Sequence, residues 1–187
     1  MAQKAGVNEQ EFQQISAALH RGVEEAAKAV GLTPEELDAL REGLQAGVPL
    51  YQIRGIEEKV MEARYAVAYQ LYAAGNYKAA EKVFRWLCSY DHESFRFWMG
   101  EGACLQALEE YEEAIAAYQM ASLFEGMQDP TPFYYCALCL LQAKRKEDAC
   151  VALEATLTLA NEQNAAHKEI IDKAQALLQT LAPKSKA

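Results

Sequence analysis

The sequence has no stretch approaching the roughly 18 consecutive apolar residues that a membrane-spanning helix requires, so no membrane insertion is expected. Positive charge is in short supply: 18 Lys and Arg face 27 Asp and Glu, a net charge of -9. An acidic surface repels phosphate backbones, and the densest basic run, Lys144-Arg145-Lys146, is short enough to be a solvated turn. Direct nucleic-acid binding is therefore not expected. Met1 to His20 lacks the basic segment and apolar run of a secretory leader. Histidine is scarce too: His20, His92 and His167 are scattered, and none stands one helical turn from another. The G-x-G-x-x-G, P-loop and G-x-S-x-G patterns are missing. Neither a metal, a cofactor nor a catalytic group is expected, and the chain does not read as an enzyme.

Cysteine gives the same answer. The five cysteines, an odd number, read as reduced thiols of a cytosolic protein. Cys136-x-x-Cys139 has zinc or redox spacing, but a four-ligand zinc site needs a second pair, and none is near. Both read as structural cysteines inside an apolar helix. The carboxylate pairs Glu109-Glu110 and Glu112-Glu113 fall around a turn, where solvated acids are ordinary.

What the chain has is helix. Apolar residues recur at i, i+3, i+4, and no run alternates at period two. The prolines Pro34, Pro49, Pro130, Pro132 and Pro183 all fall at boundaries. Asn8 with Glu11 suggests a capping box for a first helix ending near Gly31. Thr33-Pro34-Glu35-Glu36 is a stronger start signal for a second helix that stops near Gly47. Pro49 to Gly55 reads as a connector carrying Leu50, Tyr51 and Ile53. Residues 1–50 hold one aromatic, Phe12, and the other 17 lie beyond, so the aromatic-rich part is the working domain.

That part contains a repeat. Gly75-Asn76-Tyr77-Lys78-Ala79-Ala80 and Glu109-Glu110-Tyr111-Glu112-Glu113-Ala114 superpose at a shift of 34, which also carries Phe84 to Tyr118 and Ala68 to Gly102. A third copy follows at a shift of 35, taking Ala114 to Ala149 and Tyr118 to Leu153. The pattern matches the tetratricopeptide repeat, a helix–turn–helix unit in which small residues let helices A and B approach closely. The fold expected is all-α: a tetratricopeptide solenoid with repeats at 61–94, 95–128 and 130–163, preceded by a helical extension over 1–55 and closed by a capping helix and tail over 164–187. The one-residue slip falls at Asp129-Pro130, with Thr131-Pro132 capping the helix that follows. Ile170, Ile171, Ala174, Leu177, Leu178 and Leu181 form the stripe of the final helix.

In such a stack helix A of each repeat lines the concave face. The residues placed there are Glu62, Tyr65, Tyr69 and Tyr72, then Arg96, Met99, Ala103 and Gln106, then Thr131, Tyr134, Leu138 and Leu141. The face is apolar and aromatic, with tyrosine hydroxyls at its edges, and suits an extended segment with small apolar anchors. Repeats that clamp the acidic C-termini of heat-shock proteins use Lys, Asn and Arg in the groove. Here Tyr65, Tyr69, Gly100, Thr131 and Tyr135 stand at those places, so no carboxylate clamp forms.

The chain resembles a specific family, the class II chaperones of bacterial type III secretion systems, over about residues 45–160. Leu50-Tyr51-Gln52-Ile53-Arg54-Gly55-Ile56, Tyr65-Ala66-Val67-Ala68-Tyr69-Gln70-Leu71-Tyr72, Leu87-Cys88 with Asp91-His92, and Phe97-Trp98-Met99-Gly100 carry the resemblance. It is similar to the chaperones of the Salmonella and Shigella invasion systems. The resemblance implies binding of hydrophobic translocator proteins in the bacterial cytoplasm, keeping them soluble and apart before export. It implies a short extended motif with Pro and Leu anchors in the groove, with Tyr65, Tyr69, Tyr72 and Tyr77 as the groove aromatics. The peptide-binding set is then Tyr65, Tyr69, Tyr72, Tyr77, Arg96, Met99, Ala103, Tyr134 and Leu138. Some members of the family also co-activate an AraC-type transcription regulator, and the free chaperones form homodimers through their N-terminal helices. The alternative is a tetratricopeptide adaptor that scaffolds soluble partners; a neighbouring gene encoding long hydrophobic segments would separate the two.

Overall fold

The computed structural model describes residues 33–124 and 128–181, together with a few isolated positions before them. The helix expected between Asn8 and Gly31 lies outside the described residues. The described residues form helices and no strand. The chain divides into two compact units, residues 1–55 and 56–187.

In the first unit, α1 spans Pro34–Gln45 and α2 spans Leu50–Ile53. The capping box forms as its residues dictate: the Glu36 amide donates to Thr33 Oγ1 at 3.2 Å, and the Thr33 amide donates to Glu36 Oε2 at 2.8 Å. The segment from Pro49 is therefore not a plain connector but one helical turn. Gly43 lets α2 dock: a Cβ there would stand 2.6 Å from Ile53 Cδ1.

The second unit is a run of antiparallel helix pairs: α3 (Glu58–Ala73) with α4 (Tyr77–Tyr90), α5 (Phe95–Ala107) with α6 (Tyr111–Leu123), and α7 (Thr131–Gln142) with α8 (Lys146–Leu159), followed by α9 (Ala165–Leu181). Each helix packs chiefly on its sequence neighbours, with lesser contacts from α3 to α5 and from α7 to α9. The close crossings follow from side-chain size. Ala68, Ala80, Ala114, Ala137 and Ala149 are all fully buried, and a Cβ on Gly102 would stand 2.7 Å from the Tyr118 ring. Phe84, Leu87, Leu105, Tyr118 and Leu153 are buried among the helices. Each such buried side chain stabilises by about 1.5–3 kcal/mol.

The turns inside the three pairs share one backbone solution. Gly75, Glu109 and Lys144 all take the left-handed conformation, at φ of 77°, 64° and 62°. The next amide, of Asn76, Glu110 and Arg145, bonds back to Leu71, Leu105 and Leu140 at 2.8 to 2.9 Å. This is the Schellman ending of a helix. The start of α7 departs from expectation: Thr131 and Pro132 are already inside the helix, and Asp129 Oδ1 takes the Thr131 amide at 2.8 Å. A carboxylate two residues back reaches a free N-terminal amide that the Thr131 side chain, now within the first turn, does not reach.

Candidate peptide-binding site

The inner face of the first two pairs holds a cavity of about 280 Å³, walled by Tyr65, Tyr69 and Tyr72 from α3, Phe84 from α4, and Phe95, Arg96, Met99, Gly100 and Ala103 from α5. Helical spacing puts the tyrosines on one stripe of α3, and Met99 and Ala103 on the facing stripe of α5. Tyr65 is half-buried, its ring edge-on to Phe84 at 6.0 Å and tilted against Phe97 at 5.8 Å. Tyr69 is the open one, 61% exposed. The size falls just below the ~300–1,000 Å³ usual for small-molecule sites. It fits side chains of a segment laid across the face better than a free metabolite.

Arg96 stands at the edge of the cavity. Its guanidinium forks onto the Glu62 carboxylate, with Nη1 donating to Oε2 at 3.4 Å and Nη2 to Oε1, and lies 4.8 Å from the centre of the Tyr65 ring. The hydrogen bond to Glu62 pushes the Arg96 pKa further up, so the charge is permanent. Burial, with Tyr77 beside it, raises the Tyr72 phenol above its usual value and keeps it a donor at neutral pH.

Six of the nine residues named from the sequence meet at this cavity: Tyr65, Tyr69, Tyr72, Arg96, Met99 and Ala103. Tyr77 does not line it; its ring packs on Tyr72 at 5.3 Å and supports that wall from the side. Tyr134 and Leu138 do not reach it either. Tyr134 is 8% exposed in a cluster with Ala137, Leu153 and Ala174, and Leu138 packs on the same cluster beside Ile170, Leu177 and Leu178. The apolar stripe of α9 covers them, as a further A helix would. Gln106 is engaged as well, accepting from the Tyr118 hydroxyl at 2.8 Å.

Two lining residues, Phe84 and Phe95, were not placed in the groove from the sequence, and Gly100 was placed there only as a position of the missing carboxylate clamp. Gly100 carried a signal. A glycine inside a helix that also bears Met99 and Ala103 marks a close approach, and a Cβ there would meet the Phe84 ring at 2.2 Å.

A second cavity, of about 330 Å³, lies between α6, α7 and α8 among Tyr118, Phe133, Cys136 and Val151. Its rim carries Arg145, bonded to Asp148 at 2.9 Å and to Glu112 at 3.1 Å, and its lining is more polar. The tyrosine-walled cavity is the better match to a peptide with apolar anchors. Among the described residues no group of three or more His, Cys, Asp or Glu is placed to hold a metal ion, and no helix is long and apolar enough to cross a membrane. Burial raises the Cys136 thiol to about 11 and Cys139 to about 12, so both hold their protons.

Comparison with known proteins agrees with this geometry. The tetratricopeptide repeat family matches residues 61–94. The low calcium response locus protein H of Yersinia pestis is 32% identical over 152 residues, covering 80% of this chain and 88% of the relative. A type III secretion complex from Aeromonas hydrophila superposes with a TM-score of 0.73 at 30% identity, covering 77% of this chain and 95% of that one. The Yersinia enterocolitica type III secretion chaperone SycD, solved with a peptide of the translocator YopD, superposes with a TM-score of 0.66 at 30% identity, over 70% of this chain and 98% of that one. With the repeats, the groove and relatives matched over most of their length all in agreement, the chain belongs to the type III secretion translocator chaperones.

Proposed function

We propose that this protein holds hydrophobic translocator proteins through an extended segment laid along the inner face of α3 and α5, keeping them soluble and apart in the bacterial cytoplasm until export. The observation that carries this reading is the cavity walled by Tyr65, Tyr69, Tyr72 and Met99, whose lining is almost wholly apolar. A segment that must be shielded and later released needs moderate affinity. A short groove with a few aromatic contacts supplies that without nucleotide chemistry, and the reading needs no catalytic group. The negative surface, at -9 overall, keeps the loaded complex dispersed. The peptide contacts assigned are Tyr65, Tyr69, Tyr72, Arg96, Met99 and Ala103. Residues 1–55 are assigned to homodimer formation when the chaperone is empty, and 164–187 to closing the stack.

Tyr69 is the residue to test, because Tyr65 also packs on Phe84 and Phe97 and its removal would leave a hole. Tyr69→Ala is expected to weaken binding of a fluorescent peptide with Pro and Leu anchors by about 2 kcal/mol, the loss typical of a hot-spot aromatic, with the circular dichroism spectrum unchanged. Capture from the native cytosol with wild type should recover a membrane-active protein with long hydrophobic segments. Equal affinity for wild type and variant would remove the groove assignment. Recovery of soluble regulators alone would favour the adaptor reading.

A further inference from the structure

Among the described residues, Arg96 is the one charged side chain lining the cavity. Its counter-charge comes from the other wall: Glu62 of α3 reaches Arg96 of α5, and the two occupy equivalent positions in successive repeats, 34 residues apart. Both are about half exposed, at 50% and 47% of the side chain, so the pair sits at the mouth rather than in the floor. Arg96 also lies over the Tyr65 ring, which places the charge beside the tyrosine wall that an anchor side chain would meet.

An unpaired charge at that place would act on whatever crosses it. A bare guanidinium would attract a carboxylate, and a bare carboxylate would attract an ammonium. Joined, the two cancel. A charged side chain on the bound segment then gains little from one member and is repelled by the other, and to pair it must first break the existing bond. Charge pairs placed in this way act mainly through the partners they reject.

We propose that the Glu62–Arg96 pair is the specificity-determining element of the groove: it makes the cavity mouth electrically neutral and so selects segments whose residues flanking the apolar anchors are uncharged. The proposal rests on the groove reading above and names the chemistry of the segment that the groove accepts.

The test uses the full chain and three sets of fluorescein-labelled ten-residue peptides with Pro and Leu anchors. Each position beside an anchor carries Gln, Glu or Lys in turn, and affinities are read by fluorescence anisotropy. Wild type should rank Gln above both charged peptides at one flanking position. Glu62→Gln should move Glu to the top at that same position, and Arg96→Gln should move Lys to the top, each by roughly threefold or more, the scale of an exposed ion pair. A purely structural role would weaken all three peptides together and leave their order unchanged, and that result would overturn the proposal. If wild type binds none of the peptides, the groove reading itself fails and the proposal goes with it. If it binds them and only the ranking is indifferent to both substitutions, the groove stands and the pair is not its filter. Both residues are half exposed, so both variants should fold; should Arg96→Gln not, Glu62→Gln alone decides through the Glu-over-Gln reversal.

Discussion

Gly100 of α5 lies against the ring of Phe84 on α4, so close that a Cβ added to the glycine would stand 2.2 Å from Phe84 Cε1 and 2.4 Å from Cζ. Both residues wall the cavity, so the missing side chain at one fixes the position of the other. Gly100→Ala should drive the ring away from α5, against Tyr65 and the cavity. The overpacking should lower stability by about 1–3 kcal/mol, and peptide affinity should fall with it. Thermal melts and anisotropy titrations check the two effects. Unchanged affinity would mean that the Phe84 ring does not bound the ligand's space.

Glu109 and Lys144 occupy the left-handed turn position that Gly75 fills in the first repeat. That conformation strains any residue with a Cβ. Glu109→Gly and Lys144→Gly should each raise stability by about 0.5–1 kcal/mol, the net of relieved strain against greater freedom of the unfolded chain. Gly75→Ala should do the opposite. Denaturant midpoints at constant slope are the measurement, and a lower midpoint for both glycine variants would contradict the strain argument.

Two buried carboxylates share one arginine: Arg85 bonds Glu81 on its own helix and donates from Nε to Glu101 Oε1 at 3.4 Å. Burial raises the Glu101 pKa, against the opposing pull of the Cys88 thiol and Arg85. The folded state therefore holds the proton more tightly than the unfolded chain. Stability from this group is present at pH below the unfolded carboxyl value and is lost as pH rises through the raised folded value. Stability measured from pH 4 to 8 should fall less steeply with pH in Glu101→Gln than in wild type. Parallel profiles for the two proteins would show that Glu101 titrates no differently on folding.

The thiols divide by burial. Cys88, Cys104, Cys136 and Cys139 are buried and Cys150 is partly exposed. Burial raises Cys104 to about 12 and pushes Cys88 up further, with Glu101 adding to it. At pH 8 a thiol reagent should modify Cys150 in the folded protein and the other four only on unfolding. Mass spectrometry of the labelled chain counts them. Early modification of Cys136 or Cys139 would contradict their placement in the core between α6, α7 and α8.

The features readable in the sequence were those set within a few residues of one another. Thr33, Pro34 and Glu36 define a helix start by hydrogen bonds across three residues, and the structure forms them as written. The small residues Ala68, Ala80, Gly102, Ala114 and Ala149 recur because each pair of helices must approach closely, so spacing alone revealed the repeat. The tyrosine stripe Tyr65, Tyr69, Tyr72 follows from helical periodicity, and so does its shared face. The one-turn helix after Pro49 and the Asp129 cap were missed, since either conformation suits those residues locally.

The amino-acid sequence by itself thus determined the helices of the three repeats, their pairing and which stripe of each A helix faces inward, because these depend on local hydrogen bonding and on side-chain size at fixed intervals. Only the tertiary structure decided where that inner face stays open. Tyr134 and Leu138 have the same spacing as Tyr65 and Tyr69, yet α9 lays its apolar stripe over them and they become core. Tyr65, Tyr69 and Tyr72 instead look across at Met99, Gly100 and Ala103, where the small Ala103 and the Phe84 ring drawn in against Gly100 bound a hollow. A side chain's periodicity fixes its direction, but whether it meets a neighbour or a cavity depends on which distant helix arrives and how large its residues are.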